Sequence, residues 1–360
     1  MMKLSIKSCI ASALLISGVG HAAEIYNKDG NKLDLYGKVQ GENYISNNDS
    51  LDGDQSYMRF GFKGQTQIND LITGYGQWEQ QIQLNNSEGG SDAQKGNKSR
   101  LGFAGLKVGQ YGSFDYGRNY GLVYDAIAYT DVLPEFGGAT GSADGFLRGR
   151  STGVATYRNR DFFGLVDGLS FGLQYQGKNE RDAISTSNGD GWATSLGYAL
   201  DSGISVVGGY ANLDRTNAQN ADGVYGHGAH GESWAVGAKY DNNQWYFGTF
   251  YGQTRNAYAI SNSLTGESGF ANKTESFEAT LQYQFINGFR PSIAWVQTKA
   301  KDIEGVGDAY LLKFLEPGLT WYFNKNMKTF VAWKINLLED NNKLGLPNDD
   351  QLALGVVYQF

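Results

Sequence analysis

The 360-residue chain has few of the residues that would point to other classes of protein. It contains one cysteine, Cys9, together with four prolines and three histidines. A single cysteine cannot build a disulfide framework. After residue 22 the chain also lacks any apolar run near the roughly 20 residues that a membrane-spanning helix needs, which excludes a helical membrane protein.

The first 22 residues are expected to be an export signal that is removed. Lys3 and Lys7 precede an apolar stretch from Ile10 to Val19, and the segment ends in Gly20-His21-Ala22, which fits the small-x-small rule for cleavage. The mature chain is then residues 23–360. Loss of the two lysines takes the formal charge from −7 to −9, so a nucleic-acid partner is not expected.

What the chain does contain is glycine and aromatic residues in alternating patterns. It has 50 glycines, 23 tyrosines and 19 phenylalanines, a mixture that suits a transmembrane β-barrel. At the C-terminus apolar residues occur at every second position: Leu352, Leu354, Val356, Tyr358 and Phe360. The same period of two recurs at 32–40 and 276–285, and it indicates β-strands with one apolar face.

The connections between these strands are of two alternating kinds, as in an outer-membrane barrel. Long polar connections are predicted near 47–55, 85–97, 119–147, 178–190, 213–231, 255–273, 299–308 and 339–349. Short turns are predicted around 69–70, 109–112, 166–168, 201–203, 241–243, 287–288 and 324–326. Fifteen connections imply a single all-β domain, a 16-stranded antiparallel transmembrane β-barrel with both termini on the periplasmic side and a water-filled lumen.

The third long loop, 119–147, differs from an ordinary surface loop. Its 29 residues include no lysine or arginine, but they include Asp131 and Glu135 together with apolar residues such as Leu122 and Phe136. A loop this long and this apolar is expected to pack against something. We predict that it folds inward, into the lumen.

Several basic residues fall on the polar phase of predicted strands. Lys38, Arg59, Arg100 and Arg150 should point inward from neighbouring strands, and arginine keeps its charge even beside other cations. A basic wall facing the acidic loop would create a transverse field that filters solutes by charge and size. This arrangement predicts passive diffusion of ions and small hydrophilic solutes, with no enzyme activity and no cofactor.

Specific motifs resemble those of the general, non-specific outer-membrane porins of enteric bacteria, the OmpF, OmpC and PhoE group. The resemblance covers residues 23–360. Its motifs include Ala23-Glu24-Ile25-Tyr26-Asn27-Lys28-Asp29-Gly30, Ser113-Phe114-Asp115-Tyr116-Gly117-Arg118-Asn119-Tyr120-Gly121, Leu133-Pro134-Glu135-Phe136-Gly137-Gly138 and the terminal Phe360.

The resemblance implies a homotrimer in which the second loop latches onto a neighbour through Glu88 and Arg118. It implies that the narrowest part of the pore, the eyelet, is formed by the residues already singled out from the loop and from the strand alternation. These are Asp131 and Glu135 on the loop and Lys38, Arg59, Arg100 and Arg150 on the wall. The resemblance places Tyr120 and Tyr124 beside them. It also implies residence in the Gram-negative outer membrane with lipid and lipopolysaccharide, and recognition of Phe360 by the barrel-assembly machinery.

The chain departs from the family pattern at three positions. Ala332 stands where the family often has an aspartate, although its partner Glu316 is retained, and Ala139 replaces another family acid. Arg148 adds a positive charge that we expect to line the pore. These changes predict altered tethering of the third loop and a shift of selectivity toward anions.

Three other functions remain alternatives. A sugar-specific channel would need a run of aromatic residues along the lumen and typically eighteen strands. A hydrolase would need a nucleophile with a placed base, and a plugged transporter would need a large N-terminal domain. His227 and His230 lie together in a glycine-rich loop, but no carboxylate or thiolate cluster accompanies them, so no metal site is expected.

Overall fold

A computed structural model describes residues 23–360, so the expected export signal lies outside the described residues. Within that range no helix is long and apolar enough to cross a membrane. The strands are β1 Ala23–Lys28, β2 Asn31–Ile45, β3 Gly53–Asp54, β4 Tyr57–Gln67, β5 Ile72–Gln83, β6 Lys98–Val108, β7 Ser113–Tyr120, β8 Arg150–Asn159, β9 Leu169–Gln176, β10 Gly191–Ala199, β11 Ile204–Asp214, β12 His230–Asp241, β13 Trp245–Ser261, β14 Ser268–Tyr283, β15 Phe289–Ile303, β16 Gly307–Tyr322, β17 Met327–Asn336 and β18 Gln351–Gln359.

Sixteen of these strands form a closed antiparallel barrel. Each strand from β4 to β18 pairs with its neighbours in chain order, and β2 pairs with β4 on one side and with β18 on the other. The closing pair runs from Leu352 opposite Ile45 to Gln359 opposite Lys38. The predicted all-β, 16-stranded antiparallel barrel is therefore confirmed, and β1 and β3 are short additions to it.

The N-terminal strand β1 lies next to the end of β18. Asp29 and Gly30 make a tight turn with φ of 53° and 75°, and β1 then pairs with the first residues of β2. Gly37 and Phe360 exchange backbone hydrogen bonds of 2.9 and 3.0 Å just beyond that pairing. The first strand of the closed barrel, β2, therefore begins at Asn31, directly after this turn.

Alternation along the strands separates an apolar face from a polar face. On β13 to β15, Phe247, Leu281 and Ile293 are exposed, while Glu278 and Gln282, in the opposite phase, are buried. Near the short turns aromatic rings form rows on the apolar face, such as Phe289 stacked on Trp321 and Trp321 on Phe323. An apolar outer band with aromatic edges is the pattern of a transmembrane barrel.

Most connections lie where the sequence predicts them, but two long loops are much shorter. Only 262–267 and 304–306 are connections where 255–273 and 299–308 were predicted, because β13 to β16 continue through the remaining residues. In those strand ends Arg255, Lys273 and Lys301 occupy the phase that is apolar elsewhere on the same strands. Because these strand ends lack an apolar face, their sequence predicts a loop, although backbone pairing keeps them in the sheet.

Within residues 23–360 helical structure is confined to the connections. It comprises α1 Tyr124–Ile127, α2 Asp161–Gly164, α3 Asn217–Ala221 and the 3-10 turns Gly109–Tyr111 and Ile184–Thr186. The α2 segment lies in the connection of residues 160–168, where Phe162 and Phe163 have positive φ. The short turn predicted at 166–168 is therefore only the last third of this connection.

Candidate functional site

The third long connection, residues 121–149, packs against the barrel wall rather than extending away from it. Leu122, Val123 and Leu147 are fully buried, and Phe146 is 1% exposed. These side chains form one apolar cluster with wall residues of β8 and β10 to β14. Burial of this kind is the dominant favourable contribution to packing, and it explains the apolar composition of the loop.

Three glycines on consecutive strands make room for the loop backbone. A Cβ atom at Gly209 on β11 would lie 2.8 Å from the carbonyl oxygen of Leu122, and one at Gly237 on β12 would lie 2.8 Å from that of Ala126. At Gly248 on β13 the corresponding distance to Tyr129 is 2.0 Å. These residues belong to the polar phase, opposite to the exposed Val206, Val236 and Phe247.

Polar contacts hold the loop to strands on both sides of that glycine path. Asp125 forms a two-fold ion pair with Arg158 on β8, with N–O distances of 2.8 and 2.9 Å. On β14 the buried Glu278 accepts hydrogen bonds from the hydroxyls of Thr130 and Thr140. A buried carboxylate with two donors is well accommodated, so Glu278 anchors both legs of the loop.

The tip of the loop reaches β2, on the far side of the closing pair. The Glu135 carboxylate accepts hydrogen bonds from Tyr44 Oη at 2.7 Å and from Gln40 Nε2 at 2.9 Å. Phe136 packs on Tyr44 and on the apolar cluster that contains Ala332. Ala332, one of the three departures that the resemblance indicates, therefore lies in the apolar cluster that receives the tip of the loop.

Asp131 is connected to the basic wall through two tyrosines. Tyr124 Oη donates a hydrogen bond to the Asp131 carboxylate, and the rings of Tyr124 and Tyr120 stack with centroids 4.6 Å apart. The guanidinium of Arg150 lies over the Tyr120 ring at 5.7 Å. Burial, with the charge of Asp131, raises the pKa of Tyr124 well above its usual value, so its hydroxyl stays protonated and keeps donating.

The predicted basic residues Lys38, Arg59 and Arg100 come together on β2, β4 and β6. Lys38 and Arg59 are directly opposite each other across the β2–β4 pair. Arg59 and Arg100 both donate to Gln81 Oε1, at 2.9 and 3.3 Å. The ring of Tyr57 lies 4.8 Å from Lys38 Nζ and 5.3 Å from Arg59 Cζ, which helps two neighbouring cations to coexist.

Within residues 23–360 neither Asp131 nor Glu135 forms an ion pair, since no lysine or arginine nitrogen lies within 4.0 Å of either carboxylate. Instead, Gln40 accepts from Lys38 and donates to Glu135. The loop acids and the wall cations are thus neighbours through neutral groups, and their charges are not cancelled by direct contact.

Two acidic residues that the phase argument overlooked also belong to this arrangement. Glu79 on β5 is 9% exposed and accepts from Arg100 Nε at 2.6 Å and from Tyr36. Glu42 on β2 accepts from Gln40 at 2.6 Å, beside Glu135. Both lie in the polar phase of their strands, so extending the phase argument to acids would have found them.

The structure buries Arg148 between the third loop and β13. It is 4% exposed, donates to the carbonyl oxygens of Thr140 and Ala257, and lies over the Tyr258 ring at 4.4 Å. An arginine buried in this way links the loop to β13 rather than facing open space, so a pore-lining role is not what its surroundings favour.

The two residues of the predicted latch have different surroundings within the chain. Glu88 is exposed in the connection of residues 84–97. Arg118 on β7 forms a two-fold ion pair with Asp144 of its own chain, with distances of 2.9 and 3.0 Å. Within the chain, Asp144 therefore orients the guanidinium of Arg118.

Comparison with known proteins gives consistent matches along the whole chain. A family described as Gram-negative porin matches residues 28–360. The chain is 57% identical to outer membrane porin F and 52% identical to outer membrane porin PhoE, both of Escherichia coli (strain K12), over 100% of each chain. Among solved structures, Salmonella typhi OmpF in complex with daunomycin superposes with a TM-score of 0.87 and 47% identity, covering 94% of this chain and 100% of that one.

The ion pair between Asp125 and Arg158 provides a test of how the loop is fixed. Asp125→Asn leaves the largely buried Arg158 without its partner and should lower the free energy of unfolding by about 3 kcal/mol. Urea unfolding in detergent micelles measures this. Asp167→Asn removes an exposed carboxylate and serves as the control; equal stability of both variants would show that the pair does not fix the loop.

Proposed function

The chain belongs to the general, non-specific porins of the Gram-negative outer membrane, and on that premise we propose that its third loop and basic wall form the eyelet that selects solutes. The channel is a general porin pore. What the proposal adds is the position of the loop, the residues that set the field, and the assembly of the channel.

The loop of residues 121–149 is proposed to lie inside the barrel. In support, it contacts the polar phase of β11, β12 and β13, and its tip reaches β2. β12 and β2 are separated by more than a third of the closed strand order. A segment that touches such distant strands on the face opposite to the apolar band has to cross the lumen.

The eyelet is proposed to carry Asp131 and Glu135 on the loop and Lys38, Arg59, Arg100 and Arg150 on the wall, with Tyr120 and Tyr124 between them. The observation that carries this is the absence of direct ion pairing between the loop acids and the wall cations, because charges held apart maintain a field across the gap. Glu79 offsets part of the positive charge of the wall at Arg100. In bulk water two charges ~10 Å apart interact by only ~0.4 kcal/mol, but low-dielectric walls focus the field.

This field explains how a passive channel can discriminate between solutes. A polar solute can align its dipole with the field, whereas an apolar solute must displace water that the field orders. Neither step needs an energy source or a conformational cycle. Arg148, which the sequence suggested as pore lining, is proposed to position the loop through Ala257 and Tyr258 instead.

The acidic side of the eyelet can be tested by neutralising it. Asp131→Asn with Glu135→Gln keeps shape and hydrogen bonding but removes two charges, so the preference for cations should fall. Reversal potentials of single channels in a planar bilayer under a salt gradient measure this. Asp144→Asn removes a loop acid that already pairs with Arg118 and should change the potential much less. An unchanged potential in the double variant would remove these acids from the eyelet.

The basic side can be tested by shortening one residue. Arg150→Ser deletes a charge and a long side chain, so larger sugars should enter and the cation preference should rise. Liposome swelling with a graded sugar series gives the size cutoff. Lys178→Ser, in an exposed loop, is the control. An unaltered cutoff would show that Arg150 does not define the opening.

The channel is further proposed to assemble as a homotrimer held in part by Glu88 on Arg118 of the partner subunit. The homologues are consistent with this assembly, and Asp144 holds Arg118 in a fixed orientation in each chain. Export after removal of residues 1–22, contact with outer-membrane lipid and lipopolysaccharide, and recognition of Phe360 by the barrel-assembly machinery complete the proposal.

The latch can be tested by Glu88→Gln, which removes one charge of the proposed pair. The temperature at which trimers dissociate, measured by SDS electrophoresis of samples heated to graded temperatures, should fall by a few degrees. Asp182→Asn, which removes an exposed carboxylate from another connection, should leave that temperature unchanged. If Glu88→Gln has no effect, the second loop does not latch through this residue.

A hydrolase and a sugar-specific channel remain the alternatives to the proposed function. Catalysis is no part of the proposal, since the family and fold are those of channels. Lipid hydrolysis without conductance would favour the enzyme. Saturable block of the current by one sugar would favour the specific channel. The sixteen strands of this barrel argue against that alternative, because such a channel typically has eighteen.

A further inference from the structure

Two further cations lie on the polar face of the barrel, outside the proposed eyelet. Arg290 on β15 is in phase with the buried Ser292, and Lys328 on β17 is in phase with the buried Phe330. Each is the second residue of its strand and directly follows a short connection. Arg290 and Lys328 therefore face the lumen near the short turns, which form the periplasmic end of an outer-membrane barrel.

One tyrosine lies between these two cations. Tyr322 on β16 is opposite Lys328 across the β16–β17 pair, and its ring centroid lies 4.8 Å from Arg290 Cζ and 5.6 Å from Lys328 Nζ. The two charges are thus at most about 10 Å apart, and they come from strands separated by two spacings of about 4.8 Å. All three side chains are half-buried. We call Arg290, Tyr322 and Lys328 the inner basic site.

No carboxylate within residues 23–360 forms an ion pair with the inner basic site. By contrast, three other arginines of the polar face have a carboxylate oxygen within 4.0 Å: Arg59, Arg100 and Arg158. The loop acid Glu135 is directed to Tyr44 and Gln40 instead. The inner basic site therefore presents two positive charges that a solute can neutralise.

The inner basic site also has hydrogen-bond donors to spare. Arg290 donates through Nε to Gln284 Oε1 at 2.8 Å, and no other acceptor within residues 23–360 takes its terminal nitrogens. In the same part of the chain, Lys328 Nζ and Tyr322 Oη contact each other's side chains but donate to no acceptor. Guanidinium and ammonium groups bind carboxylates through charge-assisted hydrogen bonds of about 2.8 Å, so the free donors suit a carboxylate at each end of the site.

We propose that the inner basic site binds short dicarboxylates as they pass through the channel. Two charge-assisted hydrogen bonds of about 2.8 Å leave roughly 4–5 Å between the two anionic groups, which is the span of a molecule such as succinate. A monocarboxylate or a compact anion can reach only one of the two cations at a time. The proposal rests on the proposed function, which makes the polar face a water-filled lumen.

The test records the current of the assembled porin in a planar bilayer, in a chloride salt of a bulky organic cation at neutral pH. Succinate should lower the chloride current in a saturable way, because a bound dianion occupies the path of chloride. Arg290→Gln/Lys328→Gln loses two partly exposed charge contacts, so the half-blocking concentration of succinate should rise about tenfold. Butyrate has as many carbons but one carboxylate, and it should block the wild type much more weakly than succinate does.

Lys63→Gln/Lys239→Gln is the matched control variant. Both lysines lie on the polar face over a tyrosine ring, 4.8 Å from that of Tyr36 and 5.2 Å from that of Tyr129. They belong to β4 and β12, so this variant loses the same charge without touching the inner basic site. At physiological ionic strength distant charges are screened, and the half-blocking concentration should stay within about twofold of the wild type.

Three results would overturn the proposal. They are equal half-blocking concentrations of succinate for the wild type and Arg290→Gln/Lys328→Gln, equal block of the wild type by butyrate, and equal block by inorganic phosphate, which is too compact to span the site. If the double variant fails to assemble, Lys328→Gln alone should raise the half-blocking concentration about threefold, and an unchanged value counts equally against the site. A wild-type channel that conducts without saturable block by succinate contradicts the inner basic site alone, whereas a wild type without conductance contradicts the proposed function and this site with it.

Discussion

Closure of the sheet between β18 and β2 is the constraint on which the rest of the structure depends. A strand edge in lipid would leave backbone groups without partners at several kcal/mol each, and the closing pair from Leu352–Ile45 to Gln359–Lys38 removes that edge. Closure gives every strand one face toward lipid and one toward the lumen. Alternation in sequence then becomes a difference between inside and outside, and the side chains of one phase are brought together from all sixteen strands.

The polar face is shaped to receive the third loop. Glycines at 209, 237 and 248 leave space for its backbone, Glu278 receives both of its legs, and Tyr44 and Gln40 receive its tip. The loop is held by packing, by the Asp125–Arg158 ion pair and by hydrogen bonds, so Asp131 and Glu135 need not pair with the wall cations. Because this support does not depend on contact between the loop acids and the wall cations, the proposed eyelet can keep a field.

The sequence predicted the strand count and the phase of the wall cations because both depend on local alternation. Glu79 and Glu42 share that phase but were not predicted, because the alternation was applied to basic residues only. The pore-lining role of Arg148 stays a prediction, since position in a loop does not show which groups a side chain faces; in the structure Arg148 contacts Ala257 and Tyr258. The upper ends of β13 to β16 read as loops because pairing, not apolar character, holds them in the sheet.

The sequence by itself determined the barrel class, the acidic character of the third loop and the apolar residues that make it pack, because these follow from period, composition and length. Only the tertiary structure decided which strands meet the loop and which acids accompany the basic wall. Those relations join residues far apart in the chain, such as Glu135 with Tyr44 and Thr140 with Glu278. Their distances depend on how the closed sheet curves and tilts, and no local pattern encodes that.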